Sequence, residues 1–573
     1  MKTVLVGINS SFTHTMLSVR CLESYAKKCG YDCKIAEFTV NNQPETVVSS
    51  LYTENADIYA FSLYIFNITF ARRVASDLRK AKPNCVIIIG GPEVSNDDAV
   101  LEKEPYADIV MRGEGEEAFC DVLRLWDGNK SVEENKKILF DGKIQNLYYI
   151  YEGKNVFFGI RCPKKELDGY PFPYSSLDGL ENRILYYESS RGCPFHCSYC
   201  LSAAESGVRF RSVERTCEDL RIFLDKKVRI VKFVDRTFNA DSRRAVEIWK
   251  FLAENDNGVT EFHFEIAAWL LNDEELSFLS TIRKGLFRFE IGIQMTNPET
   301  AKAISRPISF EKLKKSIERI PKTVHIHTDL IAGLPYEDIG SFKKSFNDVY
   351  SLGSDNVQLG FLKILRGSPM WNEQDGIFSD FPPYEVISTP YMSYGDIIKL
   401  KKIEAVLEIY YNSEVCTFLK PENLTILYRG SFFDFYNELA EFSEKRGFFD
   451  SPRTFAATLE NIYLFLCRYI DEEAANDIVA YDFYRHSRPG SFPKWLKELP
   501  DRNIIEKAVS EEALINKITE AMNGSIDVER IKTLFKTAYG VNFHFGFSNG
   551  KIIKCDRKLL FIYSDKTGII ELI

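Results

Sequence analysis

No run of 18 consecutive apolar residues occurs in the 573-residue chain, so no membrane-spanning helix is expected. A surplus of basic charge is missing too: 73 Lys and Arg face 82 Asp and Glu, for a net charge of −9. That balance argues against a protein that grips duplex nucleic acid mainly through its phosphates, though it leaves room for a local basic groove. The opening MKTVLVGINSSFTH has too short an apolar core for a secretory signal and no cleavage site. Internal repeats and low-complexity tracts are absent. The 13 cysteines are scattered except for one tight cluster, which fits free thiols in a reducing cytoplasm better than a disulfide framework. Apolar residues make up 45% of the chain, enough for several cores, and the length suggests about three or four domains.

What is present is a strand–helix alternation in two series. Residues 1–140 give KTVLVGI, DCKIAEFTV, ADIYAFSLY, CVIIIGG and ADIVMRGEG as strands, with helical patterns between them. CVIIIGG, an unbroken apolar run ending in two glycines, suits a central parallel strand. The expectation is an α/β, doubly wound, Rossmann-like N-terminal domain. Residues 141–180 read as a linker, with a hairpin near KILFDGKIQNLYYIYEGKNVFFG and a Pro/Gly/Ser-rich stretch, LDGYPFPYSSLDGL. Residues 181–385 carry six more strand patterns, from ILYYESS to NVQLGFLKIL, and suggest a partial (βα)6 barrel with its working loops at the carboxyl ends of the strands. Residues 386–573 are mostly helical and rich in Tyr and Phe, closing in strands joined by turns at Asn549-Gly550 and at Lys566, Thr567 and Gly568. Within them, YDFYRHSRPGSFPKW mixes aromatic and basic residues. It reads as a loop over a core, or as a stacking surface for a substrate or RNA.

The tight cluster is Cys193, Cys197 and Cys200, directly after the first strand of the second series. Three thiolates from one loop can hold three corners of a 4Fe–4S cube and leave the fourth iron open to a small molecule. A structural zinc site wants four ligands, and His196 adjoins Cys197 too closely to face the same metal. A simple CxxC redox pair would leave Cys193 unused.

The segment RGCPFHCSYC, with Tyr199 before its last cysteine, resembles the signature of the radical S-adenosylmethionine superfamily. The resemblance implies that Cys193, Cys197 and Cys200 ligate the cluster and that the open iron chelates S-adenosylmethionine. Reductive cleavage would then yield methionine and a 5′-deoxyadenosyl radical that takes a hydrogen atom from an unreactive carbon. By the same resemblance Tyr199, Glu290, Gln294, Arg306 and Gly333 are cosubstrate-binding candidates. Gln294 and Glu290 belong to FRFEIGIQMTNPE, Arg306 to AISRP, and Gly333 to DLIAGLPYED. VDRTFNAD, from Asp235 to Asp241, stands where the superfamily often has Gly-Gly-Glu, a departure from its amino-group contact. An electron donor such as flavodoxin or ferredoxin is implied.

Three loops of the first series resemble the cobalamin-binding domain of cobalamin-dependent members: Ser62 and Leu63; Gly90, Gly91 and Glu93; and Gly113 and Glu114. The Asp-x-His-x-x-Gly motif that supplies a lower cobalt ligand elsewhere is absent from NSSFTHTML, where His14 has the wrong spacing. Taken together, the resemblance, which spans about residues 1–385, implies a cytoplasmic enzyme with a 4Fe–4S cluster, S-adenosylmethionine and cobalamin. Its expected reaction is methylation of an unactivated carbon. A radical cyclase or rearrangement enzyme, and a non-catalytic cobalamin- or redox-sensing module, are the alternatives. Nucleic acid is not indicated as a partner, and the three extra cysteines of methylthiolating relatives are not found.

Overall fold

The computed structural model describes residues 1–204, 207–306, 308–373, 375–510, 537–548, 550–563 and 567–571. Asn549 and Lys566, two of the expected turn residues, lie outside them.

Strands β1 (Thr3–Asn9), β2 (Lys34–Thr39), β3 (Ile58–Ser62), β4 (Val86–Gly90) and β5 (Ile109–Met111) form a parallel sheet in the order β2-β1-β3-β4-β5. Each strand feeds two cores because its side chains alternate faces. Leu5, Ile58, Ala60 and Ile88 fill one core, while Val4, Val6, Ile8, Tyr59, Phe61, Ile87 and Ile89 fill the other. Burial on both faces explains why β1, β3, β4 and β5 read as apolar runs, while the edge strand β2, KIAEFT, is only partly buried. The hairpin expected in the linker is real but is not a connector. Strands β6 (Leu147–Tyr151) and β7 (Lys154–Phe157) pair antiparallel beyond β5 and extend the sheet to seven strands.

The second series begins with β8 (Ile184–Tyr187), after which the chain leaves the sheet for a short antiparallel ribbon, β9 (Ser190–Gly192) and β10 (Val208–Phe210). Strands β11 (Ile230–Phe233), β12 (Glu261–Glu265), β13 (Phe287–Gln294) and β14 (His325–Ala332) then add in parallel, in spatial order β8-β11-β12-β13-β14. A sixth strand, β15 (Asn356–Phe361), follows in the chain, and β16 (Ile377–Phe378) and β17 (Val386–Ser388) make a second ribbon. Phe233, Phe264, Phe287 and Phe289 pack with Trp249 on one face of the barrel sheet. The opposite face carries Lys232, His263, Glu265, Arg288, Glu290 and Gln294. The free edge of β8 is covered by the loop after β1: the Ile184 amide donates to the Thr13 carbonyl at 2.7 Å, and Thr15 Oγ1 donates to the Ile184 carbonyl at 3.0 Å. Covering an edge this way blocks further strand addition.

Two compact units emerge, Met1–Asp338 with Phe361–Ser393, and Ile339–Gly360 with Tyr394–Ile573. The division differs from a barrel ending at 385, because the helix Ile339–Tyr350 belongs with the C-terminal residues. Tyr350 donates to the Leu419 carbonyl and meets the Tyr436 hydroxyl at 2.9 Å, and Lys343 bridges to Asp434 at 2.7 Å. The C-terminal unit is mainly helical and includes an antiparallel sheet of β18 (Tyr539–Ser548), β19 (Lys551–Tyr563) and β20 (Thr567–Glu571). The YDFYRHSRPGSFPKW segment buries Phe483, Tyr484 and Trp495 in this unit. The Tyr484 hydroxyl donates to the Glu498 carbonyl, Trp495 Nε1 donates to the Ala456 carbonyl, and His486 stacks on Phe455. Tyr484 and Trp495 are core groups, while His486 and Phe492 are exposed.

Asn67, fully buried, ties the carboxyl ends of β1 and β3 together. Its Nδ2 donates to the carbonyls of Ile8 and Ser62, and its Oδ1 accepts from the Tyr64 amide at 2.8 Å. Asn67→Ala leaves three buried backbone groups unpaired, at about 1–3 kcal/mol for an unsatisfied group. We expect a clearly lower urea midpoint for the N-terminal unit, followed by tryptophan fluorescence; an unchanged midpoint would show the contacts to be dispensable.

Candidate functional site

The cysteine loop is fastened at both ends. Asp235, at the end of β11, has no exposed surface and accepts from the Ser189 amide at 2.7 Å, the Ser189 hydroxyl at 2.5 Å and the Ser190 hydroxyl at 2.7 Å. Gly192 turns the chain at φ +93°, where a Cβ would lie 2.2 Å from the Gly207 carbonyl oxygen. Cys193 follows, its Sγ 3.5 Å from Thr237 Oγ1. The Cys200 amide donates to the Cys197 carbonyl at 3.0 Å, a tight turn within the loop. Beyond it, the Ser198 amide donates to the Ile304 carbonyl and the Ser198 carbonyl accepts from the Met370 amide. All three thiols are free. Among the described residues no three His, Cys, Asp or Glu side chains converge on a single metal-ion position. A cube takes each thiolate on a separate iron, so its ligands stand apart.

Three observations test the fit of a cluster with a bound cosubstrate. Arg306 Nη1 lies 3.5 Å from Cys197 Sγ, its Nη2 donates to the Gly292 carbonyl, and its guanidinium sits over Trp269. Gln294 has φ +74° at a bulge in β13, and its buried Oε1 has no partner. Strain of that kind, with an orphaned acceptor, marks a ligand position. Gly333, at φ +89°, forms part of the wall of a cavity of about 650 Å³ together with Ser198, Tyr336, Met370 and Tyr391. That volume suits a nucleoside-sized ligand. The residues present fit the group. Tyr199 is near Arg306, and burial pushes its phenol up. Glu290 differs from the rest: its Oε2 accepts from Lys232 Nζ at 2.7 Å, so it is already paired.

The polar face of the barrel sheet is heavily charged. Despite burial, Lys232 holds the Glu290 carboxyl below its usual range. Burial, then the neighbouring Glu290, pushes Glu265 up to about 7. Asp329 is raised well above the usual range by burial and by Glu290 and Glu265. Burial takes His327 down to about 4, and its Nε2 lies 3.2 Å from Asp329 Oδ1.

In the N-terminal domain, the Leu63 amide donates to the Gly90 carbonyl at 2.7 Å, and Ser62 Oγ meets Ser18 Oγ at 2.7 Å. Gly91 is at φ +112°, and a Cβ there would come within 2.4 Å of the Leu63 carbonyl oxygen. Thus the buried Ser62 and Leu63 pack closely against the half-buried Gly90 and Gly91 at the carboxyl ends of β3 and β4, where doubly wound sheets bind ligands. Glu93 accepts from the Tyr384 hydroxyl at 3.0 Å, and burial raises its carboxyl. Gly113 is at φ +73°. Glu114 has both oxygens engaged, one with Arg209 and the other with Arg191 at 3.1 Å and Tyr170 at 3.3 Å. His14 Nδ1 is committed to the Tyr186 hydroxyl at 2.6 Å, and burial lowers its pKa. This nitrogen bonds the first domain to the barrel. Sequence reading passed over Lys232, Glu265 and Asp329. Charged residues at every second position of a barrel strand would have flagged them.

The B12 binding domain profile matches residues 3–123, the radical SAM superfamily profile residues 187–349, and the profile of a protein of unknown function, DUF4080, residues 372–561. The chain is 25% identical over 416 residues to a 2-(S-pantetheinyl)-carbapenam-3-carboxylate methyltransferase of Streptantibioticus cattleyicolor, covering 64% of this chain and 56% of that protein. It is 26% identical over 401 residues to the cobalamin-dependent radical SAM methyltransferase TokK of Streptomyces tokunonensis, with the same coverage of 64% and 56%. The chain thus spans a little over half the length of these curated relatives. The structure of the cobalamin-dependent S-adenosylmethionine radical enzyme OxsB, with aqua-cobalamin and S-adenosylmethionine bound, superposes with a TM-score of 0.56 at 16% identity. That match covers 94% of this chain and 83% of OxsB and establishes a shared fold. Among the described residues no helix is long and apolar enough to cross a membrane.

The Glu265 carboxyl gives a pH prediction. The folded chain holds this proton up to about pH 7, whereas an unfolded chain releases it near pH 4–5. The native state therefore binds the extra proton across that window, and this contribution to stability is lost as pH rises through it. Glu265→Gln removes the titration, so its Tm should fall less than the parent's between pH 5 and 8 in a thermal scan. Parallel curves would mean that Glu265 does not titrate there.

Proposed function

The chain is a radical S-adenosylmethionine protein with an N-terminal B12 binding domain and a C-terminal domain of unknown function, and we propose that it methylates an unactivated carbon. The observation that carries this reading is the fastened loop of three free thiols beside the Arg306 guanidinium, in one compact unit with the carboxyl ends of β3 and β4 of the first domain. Support comes also from the two methyltransferase relatives.

In this reading Cys193, Cys197 and Cys200 hold a 4Fe–4S cluster. Gln294, Arg306 and Gly333 line the S-adenosylmethionine site, and Ser62, Leu63, Gly90 and Gly91 line the cobalamin site. When bound, these groups supply a reducing electron, a cleavable sulfonium and a methyl carrier; binding, orientation and exclusion of water are left to the protein. Arg306 sets its guanidinium against the Cys197 sulfur and fixes the end of β13 through the Gly292 carbonyl. Gln294 offers an unspent acceptor to a hydroxyl or amino donor. Gly91 lets the Leu63 main chain approach closely, since any side chain would collide there, and so shapes the loop at this site. On the polar face of the barrel sheet, burial raises Glu265 and Asp329, while Lys232 and Glu290 form an ion pair at 2.7 Å. A flavodoxin- or ferredoxin-type reductase provides the electron.

The test is anaerobic reconstitution with iron, sulfide and cobalamin, then incubation with S-adenosylmethionine, reductant and a small-molecule extract of the source cells. Methylation predicts S-adenosylhomocysteine together with 5′-deoxyadenosine. 5′-Deoxyadenosine alone favours cyclisation or rearrangement, and no cleavage under strong reductant leaves a sensing module. Cys193→Ala, Cys197→Ala and Cys200→Ala should each lose the brown chromophore and nearly all bound iron; a full cluster in every variant would end the ligand assignment.

A further inference from the structure

We propose that Arg191 is a positioning residue that locks the cysteine loop to the loop after β5, and so fixes the separation of the two cofactor sites; this rests on the two-cofactor reading above. Arg191 sits in the middle of β9, two residues before Cys193. Its three guanidinium nitrogens serve three carboxylates: Nε donates to Glu188 at 2.7 Å, Nη2 to Glu116 at 2.5 Å, and Nη1 lies 3.1 Å from Glu114. The guanidinium lies over the Tyr170 ring, 4.8 Å from its centroid. Across the ribbon Arg209 is in register with Arg191 and takes the other Glu114 oxygen, while also donating to the Lys164 carbonyl at 2.9 Å. Glu114 is therefore held by an arginine on each oxygen.

This arrangement recasts Glu114. The sequence resemblance makes it a cofactor contact, yet its acceptors are taken by the β9–β10 ribbon. What it does is carry Gly113 and the loop start with it. The burial of Glu114 is offset by Arg191 and Arg209, which hold its carboxyl below the usual range. Only a planar fork can meet three carboxylates in three directions; a lysine ammonium is a point charge on a flexible stem. Gly192 then makes the lock rigid on the cysteine side. Its backbone turn, which no side chain could adopt against Gly207, leaves no slack between Arg191 and Cys193. An ion pair needed only for folding would have no reason to join these two loops in particular.

The experiment compares the parent with Arg191→Lys, which keeps the charge, and Glu114→Gln, which keeps the shape. Amide hydrogen exchange on the cofactor-free chains should rise about tenfold or more, the equivalent of tenfold in the local opening constant, at residues 113–117 and 190–194 together in both variants. In chains loaded with reduced cluster and cob(II)alamin, pulsed electron paramagnetic resonance should give one narrow distance for the parent and a distribution at least twice as broad for each variant, with iron and cobalamin contents maintained. Exchange and distance unchanged from the parent overturn the proposal. So does a variant that loses both cofactors and melts far below the parent, because that is a folding role. A parent chain that takes the cluster but no cobalamin strikes the two-cofactor reading itself, and the proposal falls with it, before any variant is made.

Discussion

Asp235 is a buried carboxylate surrounded by donors, and the position of the cysteine loop depends on it. The chain leaves β8 at Tyr187 and must change direction before Cys193. Ser189 and Ser190 make that change by giving an amide and two hydroxyls to one carboxylate on the neighbouring strand. Arg244 backs the arrangement, donating to the Ser189 carbonyl at 3.1 Å. A carboxylate with no solvent survives only because each oxygen is hydrogen-bonded and a guanidinium is close. The same loop is held again by Arg191, by Arg306 and by the amides around Ser198. Three thiols on a mobile loop would find one another or an oxidant. Three thiols on a loop fastened at this many points can stay apart, as a polynuclear cluster needs.

Much of the architecture was legible because its signals are local. Strand runs such as TVLVGIN and CVIIIGG are buried on both faces and read as unbroken apolar stretches. The cysteine spacing is a statement about one loop and needs no long-range knowledge. What the sequence did not disclose was long-range. The hairpin of β6 and β7 looks like a connector until its pairing with β5 is seen. The helix Ile339–Tyr350 reads as one more barrel helix, and its long-range contacts, the Tyr350 hydroxyl with Leu419 and Tyr436 and Lys343 with Asp434, assign it to the C-terminal unit. VDRTFNAD looked like a departure from a cosubstrate-binding loop. Its Asp235 anchors the loop that carries the cysteines, and Thr237 touches Cys193 directly.

Acidic residues show the same limit from another side. Glu93, Glu114 and Glu290 all stand at strand ends or in loops where a ligand is expected, and sequence alone cannot tell a free carboxylate from a paired one. In the fold each has a protein partner: Tyr384, the two arginines and Lys232. Gln294 is different. Its oxygen is buried and unpartnered, and its backbone sits at φ +74°, a conformation that favours glycine. Among the residues the resemblance singled out around the cosubstrate, it is the one whose cost is visible and whose compensation within the chain is not.

The barrel's division of labour follows from the alternation of its strands. β13 places Phe287, Phe289, Ile291 and Ile293 on the face that packs against Trp249 and its neighbours, and Arg288, Glu290, Gly292 and Gln294 on the other. Register carries this across the sheet, aligning Lys232 with His263, His263 with Arg288, and Glu265 with Glu290. Stability therefore comes from the aromatic layer outside the sheet, where burial of apolar surface is cheap to arrange and insensitive to detail. The inner face works against stability, with carboxyls forced up and a histidine forced down by lack of solvent. A fold selected only to be stable would fill that space with leucine, valine and isoleucine, as closed barrels commonly do. Leaving it polar is the structural signature of a chamber, and the cysteine loop stands at its mouth.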